Sequence, residues 1–212
     1  AAPEKVAAKS VVVGNVNKQF RINIAWQIAL DGVDFSPGII DGHFKRKSLM
    51  ALTDYAARFF PGLSPFDPKV FGALNVDVDG AVASYEITAD DAAQVWIVPA
   101  DWNEKAKLDR LPYESLAECM GEKFHCTLGT LEMLNPGVKM DGLEPGEDLF
   151  VPNVRPFPAD NRIVVQHRWQ ETGSVKVNLG EKTIRVFDRA GNELALFHCS
   201  IAKDKEKLPD RD

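Results

Sequence analysis

Cysteine is scarce in this chain, with only Cys119, Cys126 and Cys199 among 212 residues. That number supplies no disulfide framework, and the spacing contains no C-x-x-C pair of the kind that holds zinc. Cys119 and Cys126 lie seven apart, so on one continuous helix their Cα atoms would be ~10 Å from each other, beyond the ~7 Å limit for a bridge. A disulfide between them therefore requires the helix to end in between, and the pairing stays open. No apolar run approaches the ~20 residues that span a bilayer, which excludes a membrane-spanning helix. Positive charge is also in deficit. The formal net charge is -6, and clusters such as Lys45-Arg46-Lys47 are too short to track a phosphate backbone, so nucleic acid is not an expected partner. Paired carboxylates, a metal-ligand triad and a phosphate-binding loop are all missing, and no cofactor or metal is expected. The sequence has no signal peptide, although its opening Ala-Ala-Pro-Glu suits a mature end left by cleavage after small residues. What is there is ordinary globular material, 45% apolar and 26% charged, enough for one large domain or two to three small ones.

Residues 1–14 read as a flexible N-terminus. Over 15–75 the pattern is helical: Phe20, Ile24, Ile28 and Ala29 follow one helical face, and the stripe Leu49, Leu52, Ala56 and Phe59 follows another. Between them, "GVDFSPGIIDGHF" carries Ser-Pro-Gly and Asp-Gly turns. Asp67 before Pro68 marks an N-cap with proline at the first helical position, so a short third helix carrying Val70, Phe71 and Leu74 is expected. The residues Phe35, Pro37, Gly38, Ile40, Asp41, Gly42 and Phe44 resemble the helix–turn–helix pattern "G(F/Y)xPGxxDGxFG" of a peptidoglycan-binding module found in bacterial cell-wall enzymes. The family's Gly-x-x-Thr is replaced here by Lys45-Arg46-Lys47-Ser48, which would give Ser48 the N-cap role. Turn chemistry alone also accounts for Asp41-Gly42.

Residues 76–110 read as a connecting segment. Val82, Ser84 and Glu86 alternate with Ala83, Tyr85 and Ile87 as a short strand would, Thr88-Ala-Asp-Asp opens a capped helical turn, and Asp101 is placed to cap another. Trp96 and Trp102 suit sugar stacking, because aromatic faces fit pyranose rings. Beside Ile97 and Val98, however, a tryptophan more often belongs to a core.

From 111 to 155 the punctuation is unusually regular. Asn-Pro-Gly, Glu-Pro-Gly and Val-Pro-Asn each follow an apolar residue, which closes a small folded unit rather than a linker. Thr127 should cap a helix whose Leu131 and Leu134 face inward, Asn135-Pro136 should stop it, and Gly146 should turn the chain into a strand ending at Val151. Phe124, Leu131, Leu134, Asn135, Pro136, Leu143, Pro145, Gly146, Leu149, Val151 and Pro152 resemble the LysM signature "AxxFxxxxxxLxxLNPxxxxxLxPGxxLxVP", a module of two short helices on a two-stranded sheet. The family's Gly-Asp-Thr-Leu opening is replaced by Tyr113-Glu114-Ser115-Leu116. The resemblance implies that N-acetylglucosamine chains lie between the loop Tyr113, Glu114, Ser115, Leu116 and the loop Asn135, Pro136, Gly137. A purely structural module is the alternative, since fold does not fix function.

Residues 156–212 read as β. "RIVVQH", "SVKVNLG" and "KTIRVFDRAGNELALFHCSIA" are apolar or alternating runs, with a hairpin turn at Asp188-Arg-Ala-Gly-Asn. Val175, Val177, Thr183, Ile184, Val186, Asp188, Gly191, Phe197, Ser200 and Ile201, with Leu208-Pro209 beyond them, resemble the opening of the catalytic domain of cysteine-type L,D-transpeptidases. That family's Ser-His-Gly-Cys nucleophile motif does not occur here. His125-Cys126 and His198-Cys199 are poor substitutes, because His198 and Cys199 on a strand would point to opposite faces.

The expected fold class is therefore α+β and multi-module: a small helical peptidoglycan-binding-like module, a LysM-like βααβ module, and an antiparallel β segment that begins a catalytic sandwich. The resemblances imply the peptidoglycan-targeting and scaffold portion of a cell-wall L,D-transpeptidase in the periplasm or cell envelope. It would be cut within its catalytic domain and inactive alone. Its expected partner is peptidoglycan, through N-acetylglucosamine-containing glycan and stem peptides. A stand-alone peptidoglycan-binding protein or a non-catalytic interaction module is the alternative.

Overall fold

The computed structural model describes residues 17–154 and 172–201. The expected N-terminal segment 1–14, the "RIVVQH" strand and Leu208-Pro209 lie outside these. The fold is mixed α+β with two small antiparallel sheets. In chain order it runs α1 (Lys18–Asp31), α2 (Arg46–Phe59), α3 (Pro68–Leu74), β1 (Val82–Glu86), α4 (Ala89–Ala92), α5 (Trp102–Lys105), α6 (Leu116–Lys123), α7 (Leu128–Leu134), β2 (Asp148–Pro152), β3 (Thr172–Asn178), β4 (Thr183–Asp188) and β5 (Glu193–His198). The described residues divide into two compact units.

The first unit comprises 17–28, Ile39–His43 and 77–154. Its sheet pairs β1 with β2 antiparallel, Val82 opposite Pro152 and Glu86 opposite Asp148. On that sheet sit α6 and α7, which bury Met120, Leu131 and Leu134 with Leu149, Val151 and Ile87. Thr127 caps α7 by accepting from the Thr130 N–H, and the helix ends at Leu134, as the sequence pattern requires. The partner strand of β2 is Val82–Glu86, in the stretch expected to be a connection, and four short helices lie between the two strands. Roughly thirty residues separate β1 from α6 and carry α4 and α5.

Two further pieces of chain complete this unit. From α1 come the buried side chains of Phe20, Ile24, Ala25 and Gln27. The turn at 39–43 is held by Gln27, whose Oε1 accepts from the Gly42 N–H at 2.9 Å while its Nε2 donates to Asp41 Oδ1 at 2.9 Å. Gly42 has φ of +70°, and a Cβ there would overlap the Phe20 ring, so both backbone conformation and space demand glycine. Ile40 then forms a bridge with Cys126, donating to the His125 carbonyl at 2.7 Å. The Asp-Gly pair is accounted for by this local work.

The second unit comprises Ala29–Gly38, Phe44–Val76 and 172–201. Its sheet has the order β3-β4-β5, all antiparallel. The β4–β5 hairpin closes on Asp188, whose Oδ1 accepts from the N–H groups of Ala190 and Asn192. Against β5 lies α2, which buries Ser48, Ala51, Leu52, Tyr55 and Ala56. The buried face is turned from the expected stripe: Leu49 and Phe59 are exposed, while Tyr55 is buried with its ring 5.6 Å from that of Phe35. Ser48 is not the N-cap. That position is Lys45, with no side-chain cap, and Ser48 is a buried residue inside the first turn. By contrast Asp67 caps α3 as expected, accepting from the Lys69 N–H. Arg185 on β4 joins sheet to helix, reaching Asp54 at 2.8 Å, Glu181 at 2.8 Å and Glu193 at 3.3 Å.

Candidate functional site

The residues singled out by the sequence stand at the ends of two contacting helices. Tyr113, Glu114, Ser115 and Leu116 form the entry to α6, and Asn135, Pro136 and Gly137 form the exit from α7. At the entry, Ser115 is the N-cap, accepting from the Glu118 N–H at 3.1 Å, and Glu118 reaches back to the Glu114 N–H at 2.6 Å. These two bonds satisfy donors that a helix start otherwise leaves open. The departure from the family's opening is thus built as a capped helix start.

Asn135 is occupied. Its side chain is buried, its Nδ2 donates to the Leu131 and Phe150 carbonyls at 2.8 Å each, and its Oδ1 accepts from the Phe150 N–H at 2.7 Å. It fastens the end of α7 to β2, with both amide hydrogens used and the side chain buried. Pro136 and Gly137 are exposed, and Gly137 takes a left-handed φ of +92° with open space around it. At this end of the module, the surface a ligand would meet is therefore backbone.

The stretch between β1 and α6 is pinned at two points. The first is Asp91, whose side chain is only 1% exposed. Thr88 and Asp91 form a reciprocal capping box. The Asp91 carboxylate also accepts from Tyr85 at 2.7 Å and from Lys123 Nζ at 2.8 Å, and Lys123 Nζ bonds the Tyr85 hydroxyl as well. Burial would raise the Asp91 carboxyl, but hydrogen bonds from Lys123, Tyr85 and Thr88 outweigh it and hold it below the usual range. Burial likewise opposes the charge on Lys123, yet bonding to Asp91 and Tyr85 raises it above the ordinary lysine value. The pair stays ionised because every member is hydrogen-bonded. The capping residue Thr88 was legible from sequence; the burial of Asp91 and its pairing with a lysine on α6 were not.

The second point is a backbone bridge between Val95 and Tyr113. The Tyr113 N–H donates to the Gln94 carbonyl at 3.0 Å, and the Trp96 N–H donates to the Tyr113 carbonyl at 3.2 Å. Trp96 is 53% exposed and Trp102 78% exposed, so the assignment of Trp96 to the core is wrong. Flanking Ile97 and Val98 suggested burial, but Ile97 is itself exposed beside Trp96.

Two of the three cysteines are held as inert thiols. Cys119 and Cys126 are separate buried thiols, unbridged although α6 does end between them. Burial pushes the Cys119 thiol up to about 11 and the Cys126 thiol up to about 12, and a protonated thiol neither attacks nor ligates. Among the described residues there is no group of three or more metal-ligating side chains and no helix long and apolar enough to cross a membrane. No known family model matches the chain, and no curated protein matches it.

Proposed function

We propose that the first unit is a LysM-like glycan-binding module and that the chain is the peptidoglycan-targeting and scaffold portion of a cell-envelope L,D-transpeptidase. The observation that supports this is the pairing of β1 with β2 together with the two short helices α6 and α7. Its helices are capped and stopped where the LysM signature requires, its core is built from Leu131, Leu134, Leu149 and Val151, and Asn135 locks the exit of α7 to β2. Helices joined by a connection as short as 124–127 run antiparallel as a rule. That brings Tyr113–Leu116 and Pro136–Gly137 to one end of the module. Exposed backbone at Pro136 and Gly137 suits a ligand rich in acetamido and hydroxyl groups, which both donate and accept. In this proposal Asn135 builds the wall and does not touch the sugar.

The β3-β4-β5 sheet takes the place of the opening strands of the transpeptidase catalytic domain, and this chain, without the Ser-His-Gly-Cys motif, binds rather than cross-links. The test is cosedimentation with purified peptidoglycan together with titration of a β-1,4-linked N-acetylglucosamine tetramer followed by amide NMR. Depletion from the supernatant, with shifts confined to 113–116, 136–137 and their neighbours, is expected. No depletion and no shift would remove the glycan assignment and leave an interaction module.

A further inference from the structure

An exposed tryptophan costs nothing remarkable by itself, but Trp96 is held in an unusual way. The segment before it is anchored by the buried Asp91–Lys123 pair. Its own backbone is tied to Tyr113 by the Gln94 and Trp96 hydrogen bonds, and Gln94 Oε1 accepts in turn from Arg110 at 3.3 Å. The ring therefore belongs to a backbone tied at Trp96 itself to the residue that leads into α6, and it is exposed to solvent. A rigid aromatic of this kind loses little conformational freedom when a ligand settles on it. Gln94 and Arg110, in the same insertion, supply hydrogen-bonding groups of the kind a hydroxylated ring needs, and the same insertion exposes Ile97 and Leu111, whose apolar side chains suit its C–H face.

Resting on the glycan assignment above, we propose that Trp96 is a stacking platform that extends the candidate groove by one sugar, taking the apolar C–H face of an N-acetylhexosamine unit in a β-linked glycan. The insertion between β1 and α6 then acts as an added arm of the site. Its contribution is apolar contact with the ring, since both backbone groups of Tyr113 are taken by Gln94 and Trp96. Trp102 lies on the same insertion, but Lys105 Nζ sits over its ring at 4.9 Å and no backbone bridge ties it to Tyr113, so it is not part of the platform.

The test uses the full chain and the N-acetylglucosamine tetramer, with calorimetry, tryptophan emission and amide NMR on wild type, W96A, W96F and W102A. Wild type should bind with a change in emission. W96A should bind about three- to tenfold more weakly, the scale of one aromatic contact, and lose that change. W96F should recover part of the affinity, and W102A should stay within about twofold of wild type. If W96A binds as wild type does while the shifts at 113–116 persist, the platform is refuted and the glycan site stands. Equal losses from W96A and W102A would mark a generic apolar patch and also overturn it. A wild-type chain that shows no binding, or that self-associates through Ile97 and Trp96 instead, defeats the platform and the glycan assignment together.

Discussion

Replacing Asn135 by aspartate tests whether this residue builds the module or serves a ligand. The change keeps the oxygen that accepts from Phe150 N–H, at 2.7 Å in the native chain. It replaces the amide that donates to the Leu131 and Phe150 carbonyls, at 2.8 Å each, with a carboxylate oxygen that repels both. Each buried acceptor left without its donor costs ~1–3 kcal/mol, and more where a charge faces it. A loss of about 4 kcal/mol, roughly a thousandfold in the opening equilibrium of this unit, is expected near neutral pH. N135A removes the bonds without adding charge and should cost about half as much. Hydrogen exchange at the Phe150 and Val151 amides reads this directly. Acid should partly rescue N135D, because a protonated carboxyl can again donate one bond, while N135A should show no such rescue. If both variants change exchange by less than about threefold, Asn135 does not hold the module together.

Four further outcomes follow from the same coordinates. G42A forces a left-handed alanine against the Phe20 ring and should destabilise by about 2–5 kcal/mol in urea titration; a loss below about 0.5 kcal/mol would contradict the packing. D91A strands the Lys123 ammonium and should cost about 3–5 kcal/mol, whereas D91A with K123M should recover much of it; simple additivity in a double-mutant cycle would refute the pairing. Because Asp91 is held below its ordinary value, its contribution is present above about pH 4 and is lost as pH falls through the folded value. Lys123, held above its ordinary value, keeps its contribution below about pH 10.4 and loses it at higher pH. Denaturation across pH should show that window for wild type and not for D91A/K123M. Glu193 behaves oppositely: burial and neighbouring Asp54 push it up to about 7 against the pull of Arg185, so ionising it opposes folding as pH rises above about 4.3. E193Q should therefore raise the melting temperature at pH 8 and change it little at pH 5; equal shifts at both would rule this out.

Local chemistry was the part of the fold written openly in the sequence. Caps at Asp67, Thr88, Asp101 and Thr127 each serve donors within a few residues, and the inward leucines of α7 follow from helical spacing; the cap at Ser115 was not foreseen. The exception is instructive: Ser48 had a capping residue's chemistry, but α2 begins earlier and the hydroxyl was drawn inside. The buried face of α2 includes Tyr55, which meets Phe35 from outside the helix, and a period of 3.6 cannot distinguish adjacent phases of a weak stripe. The pairing of β1 with β2 spans more than sixty residues, and no local pattern specifies such a partner. In the candidate site, the positions of Tyr113–Leu116 and Asn135–Gly137 were legible as helix ends. The division of labour was not, since the same Asn-Pro-Gly run reads equally as a ligand loop or as a clasp. Trp96 was misplaced because its neighbours are apolar, whereas Ile97 next to it is exposed as well and its own N–H is bonded to Tyr113, distant in sequence.

The two sealed thiols make the first unit self-reporting. Cys119 and Cys126 are enclosed and protonated, so a maleimide or dithiopyridine reagent can reach them only through openings of the fold. Once the more accessible Cys199 is changed to serine, the labelling rate becomes a stopwatch for those openings, readable in dilute protein without isotopes. A glycan that closes this unit would slow the clock.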